Sequence, residues 1–349
     1  MSWTFAILTI VVSVLAAIAL LIGLALLYQF LGERRDAKRF PPPGKLVEVD
    51  GQVLHYQESG NGDPVVVLES GITASSLSWA RVAPRIARHA KVIRYDRGGL
   101  AWSGPAKQAR IASRMIFELR AMLYAIGINR PVILVGHSFG GLLCLLFACR
   151  YREQVAGVVL VDPVPRCEWM PLTDIQARRL NYGIRLALRG ALLARLGVVR
   201  LALTLMMVGA RRFPKAIASA AGGRASSTIE RLIGEVRKLP RDLWPVVQSH
   251  WSTPRAFLSM ASHFENLYDS VAEYGRETFP PHVPLTILSA ETASVDAMDE
   301  HVADSQRSLV GTHRVVPDSG HWIHLDQPEA VAEAVLDMVR FLRSLEKTA

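Results

Sequence analysis

Apolar positions along this chain fall into three regimes. The first is a single block: from Ser2 to Gly32, SWTFAILTIVVSVLAAIALLIGLALLYQFLG, no residue carries a charge. The second begins at Lys45, where short apolar runs alternate with longer stretches of helical period. KLVEVDGQVLHYQES predicts two strands joined at Asp50-Gly51, a pair suited to a tight hairpin. PVVVLESG and AKVIRYD are continuous apolar runs, as expected of strands buried on both faces. SRMIFELRAMLYAIGI has helical spacing and stops near Gly127. A strand at 132–135, a helix at 139–151 and the strand AGVVLVD follow. The third regime, 164–281, is a long insertion. Beyond it, VPLTILSA and HRVVPDSG predict two strands, and PEAVAEAVLDMVRFLRSLE a closing helix with Pro328 in its first turn. Strands alternating with helices predict an α/β fold, a mostly parallel sheet covered on both faces.

The first block is long enough to cross a bilayer. A helix rises about 1.5 Å per residue, and a hydrocarbon core is about 30 Å thick. A cleaved signal peptide would have a basic start and a shorter apolar core. A buried globular helix is rarely apolar on every face. A single-span anchor over residues 1–32 is therefore expected, with Trp3 and Tyr28 as interface residues. Arg34, Arg35, Lys38 and Arg39 follow it, and no charged side chain precedes it, which places the domain on the cytoplasmic side. Residues 33–44, basic and then Pro-rich, are expected to be a linker.

Charge sharpens the partner. The net charge is +9, but the arginines sit on otherwise apolar segments. There is no zinc spacing, no aromatic RNA-binding signature and no basic tail, so membrane lipid is favoured and nucleic acid is not. Three cysteines (Cys144, Cys149, Cys167) do not make a disulfide framework. With no HExxH and no paired CxxC, no metal site is expected.

The chemistry centres on LVGHSFGGL. Gly136 and Gly140 flank Ser138 between a strand and a helix, the arrangement of a nucleophile elbow. A serine hydroxyl needs a base to take its proton. His321, in DSGHWIHLDQP after the last strand, is the best candidate, ahead of His324, while His137 is expected to pack under the bend. An acid should orient the histidine. Asp162 ends VVLVD and Glu291 ends LTILSAE; both keep the order serine, acid, histidine, and Asp296 and Asp299 lie further along the same loop. Asp162 is preferred and Glu291 is the alternative. The oxyanion needs two N–H donors, expected from Phe139 and from Ile72 in SGITASS.

VVVLESG, YDRGGLAWSG, LVGHSFGGL, AGVVLVDPVP and SGHWIHLDQPEAV, in that order, resemble the α/β-hydrolase superfamily, and most closely bacterial esterase-like serine hydrolases with a helical lid. The resemblance implies a core over 45–163 and 282–349, a lid over 164–281, a Ser–His–acid triad, an oxyanion hole, a substrate pocket under the lid and no cofactor. The chain departs from the family's pattern at Ser70, where many members have histidine, at Ala101, where glycine is common, and at Ala293, near the usual acid. Members that dehalogenate or open epoxides carry aspartate at the elbow. Ser138 instead implies ester, thioester or amide cleavage through an acyl-enzyme.

Within the insertion, Arg178, Arg185, Arg189 and Arg200 fall on one narrow helical arc, with Gly190 and Gly197 as candidate breaks. Such a basic amphipathic helix is expected either to lie on the membrane or to cover the site with its arginines in water. The function expected is cleavage of a small-molecule, lipophilic acyl ester by a membrane-anchored enzyme. An amidase or peptidase would need a group to bind the substrate amine, for which Asp242, Glu265 and Asp269 are candidates. A non-catalytic binding or signalling role is the reading from another class.

Overall fold

The structure, a computed structural model, describes residues 3–207 and 236–347. The part of the expected lid between 208 and 235 lies outside the described residues. An eight-stranded sheet organises the rest: β1 Lys45–Val49, β2 Gln52–Ser59, β3 Val66–Glu69, β4 Val92–Asp96, β5 Val132–His137, β6 Val155–Val161, β7 Leu285–Ala290 and β8 Gly311–Val316. Their order across the sheet is β1-β2-β4-β3-β5-β6-β7-β8. β2 runs antiparallel to β1 and β4, and every pairing from β4 through β8 is parallel. The β1–β2 hairpin turns at Asp50 (φ 50°) and Gly51 (φ 73°), two consecutive positive φ angles that suit Asp-Gly.

Helices cover both faces of the sheet, which is why the central strands are apolar without alternation. In β3, Val67 faces one core and Val66 and Leu68 the other. The first core is closed by α3 (Ala112–Ala125) and α4 (Phe139–Arg150), through Met115, Leu119, Phe147 and their neighbours. The second is closed by α2 (Ala83–Ile86) and α12 (Pro328–Glu346), through Ile86, Val331, Val335 and Val339.

The inserted segment contributes α5 (Asp174–Arg195), α6 (Val198–Met207), α7 (Trp244–Trp251), α8 (Pro254–Glu265) and α9 (Leu267–Gly275). Thr173 and Gln176 form a reciprocal capping box that starts α5. α5 stays helical through Gly190, whose missing side chain lets Phe257 of α8 come close: a Cβ there would meet the Phe257 ring at 2.5 Å. The break falls instead at Gly197 (φ 69°), where α6 turns away by 86°. The expected arginine arc is therefore interrupted. Arg178, Arg185 and Arg189 are exposed on α5, but Arg200 is buried on a different helix. α9 leaves the lid: Leu267, Val271 and Tyr274 join the main core beneath α3 and α4. The remaining helices are α10 (Val295–Ser305) and α11 (Ile323–Asp326).

At the N-terminus, α1 spans Trp3–Arg39 and is long and apolar enough to cross a membrane. It does not stop at Gly32. The basic stretch expected to begin the linker is helical through Arg39, and only Phe40–Gly44 connects it to β1.

The parallel strands bring the loops that follow them to one edge of the sheet, among them those after β3, β5, β6 and β8. Their approach depends on missing side chains. A Cβ on Gly140 would meet the carbonyl oxygens of Glu69 and Ser70 at 2.5 Å, and one on Gly136 would meet Gly140 O at 2.5 Å. Both obstacles are backbone, so neither can swing aside. Gly140→Ala should therefore destabilise the protein by about 1–3 kcal/mol, the usual range for overpacking. The fall would be read from the thermal midpoint of the full chain in detergent, with Gly23→Ala, which has open space around it, as the unaffected control.

Candidate active site

Ser138 occupies the sharp turn between β5 and α4 with φ 54° and ψ −121°. Residues held in such sparsely populated regions cost on the order of 1–3 kcal/mol and persist only where the surroundings over-determine them. Here the Ser138 N–H donates to Val161 O at 3.0 Å, and Ser138 O accepts from the N–H groups of Gly141 (2.8 Å) and Val164 (3.3 Å). The backbone is pinned, and the hydroxyl is left at the edge of a cavity of about 670 Å³.

His321 meets that hydroxyl. Its Nε2 lies 2.9 Å from Ser138 Oγ and its Nδ1 lies 2.7 Å from Asp162 Oδ2. Asp162 follows β6 with φ 45°, and its other oxygen accepts from the Ala290 N–H at 3.0 Å. The carboxylate is thus aimed by the backbone of β7. Glu291, the alternative acid, does not reach the histidine: its Oε2 accepts from the Asp318 N–H at 2.9 Å and so ties two loops together. Asp296 and Asp299 sit on α10, and both ring nitrogens of His321 are already engaged elsewhere.

The neighbouring histidines are packing groups. His137 is buried under the bend, with its Nε2 2.8 Å from His321 O. Its ring stands 4.8 Å from that of His321 and 4.3 Å from that of His324, centroid to centroid. Burial, reinforced by His324 and His321, holds the His137 imidazole well below its usual pKa. With the ring neutral, Nε2–H donates to the His321 carbonyl and braces that loop. Burial pushes His324 down to about 3, and its ring lies against Trp79 rather than the serine.

The N–H groups of Ile72 and Phe139 donate to no other group among the described residues, and both residues line the same cavity as Ser138. The loop that carries Ile72 is held by a charge pair absent from the motif reading. Arg97 donates to Ser70 O at 2.7 Å, to Gly71 O and to the Glu69 carboxylate, and Tyr95 OH donates to the same carboxylate. The carbonyl of Gly71 and the N–H of Ile72 share one planar trans peptide and point in opposite directions. By drawing that carbonyl toward itself, Arg97 turns the N–H of Ile72 the other way. Burial raises the Glu69 carboxyl and Arg97 opposes that shift. Its neighbour Asp96 accepts from the Ser76 N–H at 2.7 Å and contacts His55 at 2.7 Å, which fixes the far end of the same loop. In the sequence the only signals were a carboxylate ending a buried strand in VVVLE and the DR pair of YDRGG.

The cavity walls come from the core and the lid together. Ile72, Phe139, Val164, Trp169, Leu180 and Phe264 make them largely apolar, while Glu168 and Arg179 bring charge. Burial raises the Glu168 carboxyl, with His321 pulling it back. Asp242, Glu265 and Asp269 do not line this cavity. Among the described residues, no cluster of three or more His, Cys, Asp or Glu could hold a metal ion. A serine, an imidazole, an aimed carboxylate and two free N–H donors can together move a proton and stabilise an oxyanion.

A family model described as the alpha/beta hydrolase fold matches residues 64–328. The uncharacterized protein YqjL of Bacillus subtilis is 32% identical over 120 residues, 34% of this chain and 47% of YqjL, so the chain spans about half of that relative. A haloalkane dehalogenase of Sphingobium indicum is 24% identical over 86% of this chain and 96% of its own length. Among solved structures, an esterase from Thermogutta terrifontis aligns with a TM-score of 0.54 at 19% identity, over 86% of this chain and 99% of its own. A structure described as a putative epoxide hydrolase from Pseudomonas aeruginosa aligns with a TM-score of 0.64 at 15% identity, over 86% and 96%. At these identities the structures share the fold.

Two substitutions test the geometry. Asp162→Asn should slow acylation by a serine-directed probe on the order of 10³-fold, by losing the charge and the tautomer it selects. Glu291→Gln should leave that rate within about 3-fold, because it removes a charge that does not touch His321. The reverse ranking would reassign the acid. Separately, Arg97→Lys keeps the buried charge but cannot bridge two carbonyls and a carboxylate. It should lower kcat by about 10- to 10²-fold with KM little changed, as for loss of part of an oxyanion hole. A change confined to KM would remove Arg97 from this role.

Proposed function

The chain belongs to the α/β-hydrolase fold family, and we propose that within it this protein is a membrane-anchored serine hydrolase that cleaves carboxylic esters through an acyl-enzyme on Ser138. The observation that carries the reading is the unbroken chain from Ser138 Oγ to His321 (2.9 Å) to Asp162 (2.7 Å). Ser138 attacks the ester carbonyl as His321 Nε2 takes its proton. Asp162 stabilises the imidazolium that forms. Negative charge on the carbonyl oxygen is met by the N–H groups of Ile72 and Phe139, preset by the backbone on either side. Collapse of the intermediate expels the alcohol, which takes the proton from His321. A water then gives its proton to His321 and attacks the acyl-enzyme, releasing the acid and restoring the serine.

The apolar walls favour a lipophilic acyl group, and about 670 Å³ suits a small to medium molecule. A second reading has one observation in its favour. Glu168 places a carboxylate in the same cavity, which would suit a substrate bearing an amine, so an amide or amino-ester remains the competing class. The similar proteins described as an esterase, a dehalogenase and an epoxide hydrolase support hydrolysis in general; the serine at the elbow favours the esterase among them.

The anchor reading rests on α1, whose apolar window has a mean hydropathy of 3.0 and is 0% buried. Its basic end, Arg34 to Arg39, favours a cytoplasmic hydrolase domain.

The test is labelling by a fluorophosphonate serine probe in membranes, followed by a panel of esters and amides. Wild type should label, Ser138→Ala and His321→Ala should not, and medium-chain esters should turn over faster than matched amides. A folded wild type that neither labels nor hydrolyses any ester would favour the non-catalytic reading. Preference for amino-bearing substrates that is lost in Glu168→Gln would favour the amidase.

A further inference from the structure

The uncharged run of α1 is longer than a bilayer needs. Trp3 to Gly32 is 30 residues, or about 45 Å of helix. A hydrocarbon core of about 30 Å, crossed at a tilt of roughly 20°, takes up only about 32 Å. Roughly nine apolar residues are left over. They are accounted for at the C-terminal end, where the lid packs on the helix.

The contacts follow one stripe of α1. Tyr28 lies against Gly197, where a Cβ would meet its ring at 2.6 Å and Ala25 O at 3.6 Å. Gln29 is buried, donates to Ser252 O at 2.8 Å and accepts from Arg200 Nε at 3.0 Å. Gly32 leaves room for that guanidinium, and Asp36 pairs with it through the other side. Ala25, Gln29, Gly32 and Asp36 are spaced four, three and four residues apart, so they share one helical face. Arg200 is 7% exposed, whereas its counterparts on α5 are open to solvent. It is a latch between helix and lid.

Around the latch the surface is apolar. On α1, Leu24, Leu27, Phe30 and Leu31 are 48–55% exposed. Flanking the Gly197 corner, Leu192 on α5 is 60% exposed and Leu201 on α6 is 51% exposed. Exposed arginines border both parts: Arg34 and Arg35 on α1, Arg189 and Arg195 on α5. Apolar side chains continuous with a spanning helix and ringed by cations match the interface of a bilayer containing anionic lipid.

We propose that the surplus of α1 and the α5–α6 corner of the lid form one rigid wedge, latched by Arg200, whose leucines sit in the interfacial layer of an anionic membrane. The proposal rests on reading α1 as the anchor. The surface that would touch lipid is this corner, not the arginine face of α5. Because Arg179, Leu180 and Gly183 of the same α5 line the cavity, the wedge sets the pocket wall roughly 14 Å along one helix from the bilayer, the rise from Gly183 to Leu192.

The experiment uses the full chain in nanodiscs of phosphatidylcholine and phosphatidylglycerol, with Cys149 and Cys167 replaced by serine. Single nitroxide labels go at Leu15, Leu192, Leu201 and Ile175, all exposed positions. Collision with oxygen is compared with collision with a water-soluble nickel chelate. Leu15, Leu192 and Leu201 should favour oxygen several-fold, and Ile175 should favour nickel. Labels at 192 and 201 that resemble Ile175 while Leu15 stays protected would overturn the wedge and leave the anchor standing. A nickel-accessible Leu15 would overturn the anchor, and the wedge with it. Arg200→Gln should expose 192 and 201 to nickel without changing Leu15; no change there would remove Arg200 as the latch.

Discussion

The site depends on one backbone constraint, the left-handed turn at Ser138. A side chain there can reach the open edge of the sheet only because φ is 54°, and that conformation survives only if the chain on both sides is fixed. β5 fixes one side through its pairing with β3 and β6, and α4 fixes the other by burying nearly its whole length. The two glycines then bring the loop after β3 close enough for its backbone to touch Gly140. Strain, close packing and a reactive hydroxyl are parts of one arrangement. Asp162 repeats the device at the end of β6, with φ 45° and a carboxylate aimed by the Ala290 N–H.

The oxyanion side is built differently, from buried charge. Arg97 and Glu69 are at most 3% exposed, an expensive placement that is tolerable only when every partner is present. The partners include the carbonyls of Ser70 and Gly71, and the second shares its peptide plane with the N–H of Ile72. Apolar replacements of buried ion pairs are often neutral for stability, but an apolar pair could not choose the direction of a peptide plane. The buried ion pair is better understood as setting geometry than as adding stability.

The lid shows how small residues decide where helices meet. Ala187, Gly190, Ala191 and Ala194 give α5 a face that α8 can approach closely, while the larger apolar residues of α5 are left partly outside. Those outward residues, with the surplus of α1, give the molecule an apolar edge beside a basic border. A surface of that kind has a physical use if lipid covers it.

Several features were legible along the chain because their causes are local. Period and run length marked the strands and the closing helix, Asp50-Gly51 marked its hairpin, and the glycines around Ser138 marked the bend. A run of uncharged residues marked α1. Other features needed the folded chain. Asp162 and Glu291 have the same charge and both keep the required order; only the placement of β6 and β7 aims one at His321 and sends the other to Asp318. Arg97 is one basic residue among 40 Lys and Arg until the sheet brings it beneath Ser70 and Gly71. Arg200 matched the spacing of an exposed arc, yet a turn of 86° at Gly197 buries it against α1. Sequence by itself determined which segments could be strand, helix, span and elbow, since those follow from side-chain size, period and backbone freedom. Tertiary structure decided which charges meet, because that depends on directions set by elements distant in the chain.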